Sequence, residues 1–146
     1  MSTSNYTTTI VVDKTPKEVF TAINNVRGWW QGEIEGSTDK LNEEFAYRME
    51  DMHYSKQKVV EIIPNEKVMW LVTESQLNFI DDKSEWTRTK IVFDISEVNK
   101  KTQLRFTHIG LLPEVECYDD CSNAWGALIQ KSLFSLITTG KGKKVF

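Results

Sequence analysis

The stretch "HIGLLPEVECYDDCSNAW", residues 108–125, brings together one of the chain's two histidines and both of its cysteines, with Glu116, Asp119 and Asp120 among them. Residues of these types can hold a metal ion, activate a thiol or move a proton. Zinc requires three or four N, S or O ligands at tetrahedral positions. Beyond Cys117 and Cys121 no second close ligand pair exists, and His53 lies far off in a polar, turn-like segment. The C-x3-C spacing also carries Cys121 onto the apolar face of a helix, where a thiol packs as a small hydrophobe. The surrounding carboxylates disfavour a thiolate, so a nucleophilic cysteine is not expected either. The reading is no metal, no cofactor and no assigned catalytic residue.

His108 is the residue in this stretch with most to offer. "QLRFTHI" places Leu104, Phe106 and His108 on one strand face and Arg105 and Thr107 on the other. An inward neutral imidazole supplies one donor and one acceptor to an apolar cavity, and burial lowers its pKa. The aromatic content is high, at 11%. Trp30, Trp70, Trp86 and Trp125 come from four different elements and can pack as core or line a pocket, since each indole N–H needs a partner. Trp29 and Trp30 sit between Gly28 and Gly32, so one of the pair is expected to face outward as a pocket lip. Glu43 shares a strand face with Leu41 and Phe45 and is expected to reach the cavity. The paired acids Asp81–Asp82 and Asp119–Asp120 read as turn and cap residues.

The elements that must position these groups follow from periodicity. "YTTTIVVD" alternates as a first strand. Thr15, Pro16 and Glu18 have the spacing of a capping box with proline at the first helical position, followed by an apolar face of Val19, Phe20 and Ile23. The glycine-rich segment around Trp29 and Trp30 predicts a turn and a loop. Five or so antiparallel strands follow, carrying Phe45 and Tyr47, then the segment before Pro64, then Val68, Trp70 and Val72, then Ile91, Phe93 and Ile95, then Leu104 to His108. From Asp119 to Thr139 the period changes to three and four, with Cys121, Trp125, Leu128, Leu133 and Ile137 on one face and Gly140 as the stop. This order, strands and helices segregated, is an α+β fold.

The chain has 146 residues, without repeats or linker-like stretches, and reads as one domain over 1–146. A net charge of −3 argues against nucleic acid as a partner. No apolar run is long enough to span a bilayer, and no signal peptide is visible, so a reducing cytoplasm is the expected setting. No Gly-rich phosphate loop, nucleophile elbow or serine triad appears.

The stretches "TPKEVFTAINN…GWW", "VVEIIPNEKVMW", "EWTRTKIVFDI" and "FTHIGL", followed by an aromatic C-terminal helix, resemble the START-like, birch-pollen-allergen-like (SRPBCC) superfamily. Within it the resemblance is to bacterial proteins grouped with the activator of the heat-shock-protein-90 ATPase. It covers about Tyr6 to Gly140 and implies a helix-grip fold: a curved antiparallel sheet around a long C-terminal helix, with a cavity between. The combined expectation is a protein that binds a small apolar or amphipathic ligand in that cavity. Trp30, Phe45, Tyr47, Trp70, Phe93, Phe106, His108 and Trp125 are the expected lining, with His108 as the main polar contact. Alternatives are a protein-interaction, co-chaperone-like module, and an enzyme using His108 as acid/base with Glu43 or Tyr47 assisting.

Overall fold

The computed structural model describes residues 5–145. Strand β1 (Tyr6–Val12) leads into helix α1 (Pro16–Asn24). The predicted capping box is formed: Glu18 N–H donates to Thr15 Oγ1 at 3.1 Å, and Thr15 N–H donates to the Glu18 carboxylate at 2.9 Å. After a single 3-10 turn at Val26–Gly28 come β2 (Glu33–Gly36), β3 (Glu44–Met49), β4 (His53–Ile63), β5 (Lys67–Leu77), β6 (Lys90–Val98) and β7 (Lys101–Ile109). The long helix α2, residues 118–139, closes the fold and stops at Gly140, whose φ of 86° is the left-handed cap glycine tolerates.

The seven strands form one antiparallel sheet in the order β1-β7-β6-β5-β4-β3-β2. It curves around α2 in the helix-grip arrangement. Two register shifts in the β4–β5 pairing, one leaving Thr73 of β5 and the other Val60 of β4 without a partner, are bulges that increase twist and bend the long β4–β5 ribbon. The edge strand β2 is a departure from the sequence reading, which has loop there. Four residues are too few to show alternation against three nearby glycines, so pairing with β3 decides the structure.

Packing starts from rings. Trp29, Trp70, Phe45, Phe93 and Phe106 are 0–1% exposed and touch one another: Trp70 meets Phe45 at 5.0 Å and Phe93 at 4.9 Å, edge to face. Such pairs add about 0.5–1.5 kcal/mol beyond area burial. Trp29 and Trp30 both face inward, contrary to the expected outward lip. The 3-10 turn removes the strand alternation that would part them, and Ser132 of α2 fixes the turn by donating its hydroxyl to the Trp29 carbonyl at 2.7 Å. Midway along α2, Leu128–Leu133 form a π-helical turn. Such turns are rare and concentrate at functional sites.

Gly32, at φ 134°, lies behind Tyr47. A Cβ there would come within 2.6 Å of the Tyr47 ring and 2.8 Å of the Arg48 carbonyl. Gly32→Ala is therefore expected to lower stability by roughly 1–3 kcal/mol and to displace Tyr47. Urea unfolding and the Tyr47 ring resonances check this; an unchanged midpoint would contradict it.

Candidate functional site

At one end of α2 the sheet and helix part to leave a half-open cavity of about 210 Å³. Its walls are built by five rings from five segments. Tyr47 stacks on Trp30 at 4.0 Å, Trp30 meets Trp125 at 5.0 Å, and Trp125 stacks on Trp86 at 5.7 Å. Trp86 meets His53 edge-on at 4.6 Å, and His53 returns to Tyr47 at 5.0 Å. The circuit is closed. Met49, Met52 and Phe79 flank the mouth, and Asp120 sets a carboxylate there from the first turn of α2. Cys121, Ala124 and Leu128 complete the helix side.

Of the eight expected lining residues, Trp30, Tyr47 and Trp125 border this cavity. Phe45, Trp70, Phe93, Phe106 and His108 do not: each is 0–1% exposed and packed in the ring core behind it. Inward strand alternation selects both layers and does not tell the innermost from the next. His108 illustrates the difference. Its Nδ1 accepts the Trp125 indole N–H at 3.0 Å, so its proton sits on Nε2 and is donated to Thr89 Oγ1 at 2.8 Å. The Thr89 hydroxyl passes on to the Trp86 carbonyl at 2.5 Å. Both ring nitrogens are spent on the protein, which corrects the expectation of His108 as the cavity's polar contact.

His53 takes the place expected of His108. The sequence reading sets it in a distant polar turn, yet it begins β4 and pairs with Met49 across a hairpin that turns at positive-φ Glu50. His53, Ser55, Gln57 and Val59 alternate inward, and the three polar members conceal the alternation. Met49 continues the Phe45–Tyr47 alternation to the end of β3 but is not among the expected lining residues, and Met52 is a turn residue without periodic context. Glu43 is exposed and lies just before β3, so it does not reach the cavity. Tyr47 donates its hydroxyl to the Gln31 carbonyl. The three groups named for acid/base work therefore do not converge on one point.

Electrostatically the interior is uncharged. Burial lowers the His53 pKa from 6.5 to about 3. His108 is likewise lowered to about 3 by burial, with the neighbouring His53 adding to it. Burial pushes the Tyr47 hydroxyl up. The Cys117 thiol is raised first by its hydrogen bond to Cys121 and then by burial, so it holds its proton. Both cysteines are free and buried, and among the described residues no group of three His, Cys, Asp or Glu is placed to hold a metal. The indole N–H of Trp86, close to Cys117, and that of Trp70 make no hydrogen bond of ordinary geometry among the described residues.

The segment between β5 and β6 carries Phe79 and Trp86 and is clasped from outside. Glu116 accepts the N–H groups of Asp81 and Asp82 at 2.9 and 3.1 Å; Glu85 accepts those of Glu116 and Cys117 at 2.7 and 2.9 Å. The two backbone bonds hold the Glu116 carboxyl below the usual range. A wider groove between α1 and residues 36–40 is open and mainly polar.

Comparison with known proteins agrees with this architecture. The family described as "Activator of Hsp90 ATPase homolog 1-like protein" matches residues 15–137. The solution structure of the Aha1 dimer from Colwellia psychrerythraea superimposes with a TM-score of 0.76 at 23% identity, covering 95% of this chain and 99% of that one. A protein of Mesorhizobium loti aligns with a TM-score of 0.68 at 14% identity, over 90% and 95% of the two chains. CalU16 from Micromonospora echinospora aligns at 0.61 and 14%, over 92% and 76%. At these identities the likeness shows the fold. A comparison with curated proteins finds no match.

Two outcomes follow. Both imidazoles have folded pKa values below their ordinary 6.5. The unfolded chain thus binds the extra protons, and their contribution is complete above about pH 6.5 and lost as pH falls toward 3. Each should remove roughly 1.4 kcal/mol of stability per pH unit in that window. Urea midpoints between pH 7 and 4.5 measure this, and a flat profile would contradict it. Separately, Glu116→Ala should speed amide exchange at Asp81 and Asp82 while leaving β6 and β7 protected; unchanged exchange there would mean that the clasp does not hold the loop.

Proposed function

We propose that this chain, which belongs to the activator of Hsp90 ATPase homolog 1-like family, binds a small, largely apolar molecule in the cavity at the start of α2. The observation that carries the reading is a half-open cavity of about 210 Å³ bordered by Trp30, Tyr47, His53, Trp86 and Trp125, whose rings touch one another in a closed circuit. A core that served packing alone would close over such a space, since an unfilled apolar void costs stability in proportion to its volume. At about 210 Å³ the cavity is below the ordinary range of about 300–1,000 Å³ for drug-sized ligands, so the occupant is a compact ring and not a long lipid chain. Trp30, Tyr47, His53, Trp86 and Trp125 are its contacts. Residues 1–146 act as one domain in this reading, with the cytoplasm as its setting. Among the described residues no helix is long and apolar enough to cross a membrane.

Family membership favours a second reading, a co-chaperone-like module that binds a protein partner. The two separate on one substitution. Ala124 sits on α2 at the cavity wall and is half-buried, so Ala124→Phe fills the space without opening the core. Ligand binding then predicts that toluene, followed by calorimetry or NMR titration, binds the wild-type protein and loses at least tenfold in affinity in the variant, with the thermal midpoint retained. Equal binding to both proteins, or to neither, would overturn the cavity as the site. Chaperone capture that survives Ala124→Phe would favour the second reading.

A further inference from the structure

His53 gives the cavity a direction that its apolar walls lack. Gln57 donates an amide N–H to Ser55 Oγ at 2.6 Å. The Ser55 hydroxyl then has one acceptor among the described residues, His53 Nε2 at 3.1 Å. A chain in which each member uses its own proton runs from Gln57 through Ser55 to His53 Nε2 and leaves the imidazole proton on Nδ1. This is the reverse of His108, where Nδ1 accepts and Nε2 carries the proton. His53 Nδ1 makes no hydrogen bond among the described residues, and the ring that carries it borders the cavity.

The remaining lining excludes one class of ligand. Among the described residues no lysine or arginine borders the cavity, while Asp120 places a carboxylate at its mouth. An anionic occupant would enter past a like charge and find no cation within.

Resting on the ligand-binding reading above, we propose that the occupant is an uncharged ring compound whose carbonyl oxygen accepts the His53 Nδ1–H, and that Asp120 discriminates against the corresponding carboxylates. The ring stacks among Trp30, Tyr47 and Trp86, and the carbonyl turns toward β4. His53 is a specificity residue here; the bulk of the affinity comes from the indoles.

Three probes of one shape test this. Acetophenone carries the carbonyl, α-methylstyrene replaces that oxygen with a methylene, and benzoate replaces the methyl with a charged oxygen. Calorimetric titration of the wild-type protein and of His53→Phe gives the acetophenone-to-α-methylstyrene affinity ratio in each. The difference cancels the probes' unequal hydrophobicity. The expected result is a fall in that ratio of roughly three- to tenfold in His53→Phe, the scale of one net hydrogen bond. Asp120→Asn should raise benzoate affinity relative to acetophenone by at least twofold. An NMR arm is independent of the variant's folding: the His53 Nδ1–H resonance of the wild-type protein should move to lower field with acetophenone, beyond the ring-current shift that α-methylstyrene produces. A ratio unchanged within twofold in a folded His53→Phe, a proton found on His53 Nε2, or benzoate binding as well as acetophenone would overturn the proposal while leaving the cavity a binding site. Failure of acetophenone and α-methylstyrene alike to bind the wild-type protein would overturn the ligand-binding reading itself.

Discussion

The hydrogen bond from the Trp125 indole to His108 Nδ1 joins the three parts that enclose the cavity. Trp125 belongs to the helix, His108 to the sheet, and through Thr89 the chain ends on the Trp86 carbonyl in the β5–β6 segment. None of these polar groups can leave the bond cheaply. His108 is fully buried, and an imidazole without partners there would carry a desolvation cost of about 1–3 kcal/mol. The bond therefore fixes a tautomer, a ring orientation and the position of Trp86 against Trp125. The Glu85–Glu116 clasp holds the same segment from the solvent side.

The two histidines show how similar environments support different uses. Both are uncharged through burial, and both touch Trp86 edge-on, at 4.6 Å for His53 and 4.8 Å for His108. His108 is satisfied from both sides by protein and acts as a strut. His53 is hydrogen-bonded on one side only, to Ser55, and its ring borders the cavity. The distinction is made by hydrogen bonds to residues distant in sequence, Thr89 and Trp125 for one and Ser55 for the other.

This explains what the sequence discloses and what it withholds. The capping box at Thr15, the alternation of Val68, Trp70 and Val72, and the three-four period from Cys121 to Ile137 are local signals that survive folding unchanged. They suffice for the order of strands and helices and for the α+β class; the helix-grip arrangement is what the resemblance to the START-like superfamily implies. The strand β2 and the inward turn of both Trp29 and Trp30 depend on pairing and on Ser132, which no local pattern reports. Within the site, Trp30, Tyr47 and Trp125 are legible as large rings on buried faces. His53 is not, because it sits just ahead of the stretch that reads as strand, and the inward face it heads is polar at Ser55 and Gln57, so no apolar alternation extends back to it. His108 is legible as inward but not as sealed, since depth behind the first layer of rings is a property of the whole packing.

The likeness to the Colwellia psychrerythraea, Mesorhizobium loti and Micromonospora echinospora proteins fixes the scaffold, and on one scaffold the occupant is decided by the groups at the cavity wall. Those groups here are four indole and phenol rings, one neutral imidazole and a carboxylate at the entrance. Native mass spectrometry of the protein purified gently from its own host tests the central claim most directly, with Ala124→Phe handled in parallel. The account predicts a small-molecule adduct on the wild-type protein that the cavity-filled variant lacks. An adduct retained by Ala124→Phe, or a bare mass for both proteins, would contradict it.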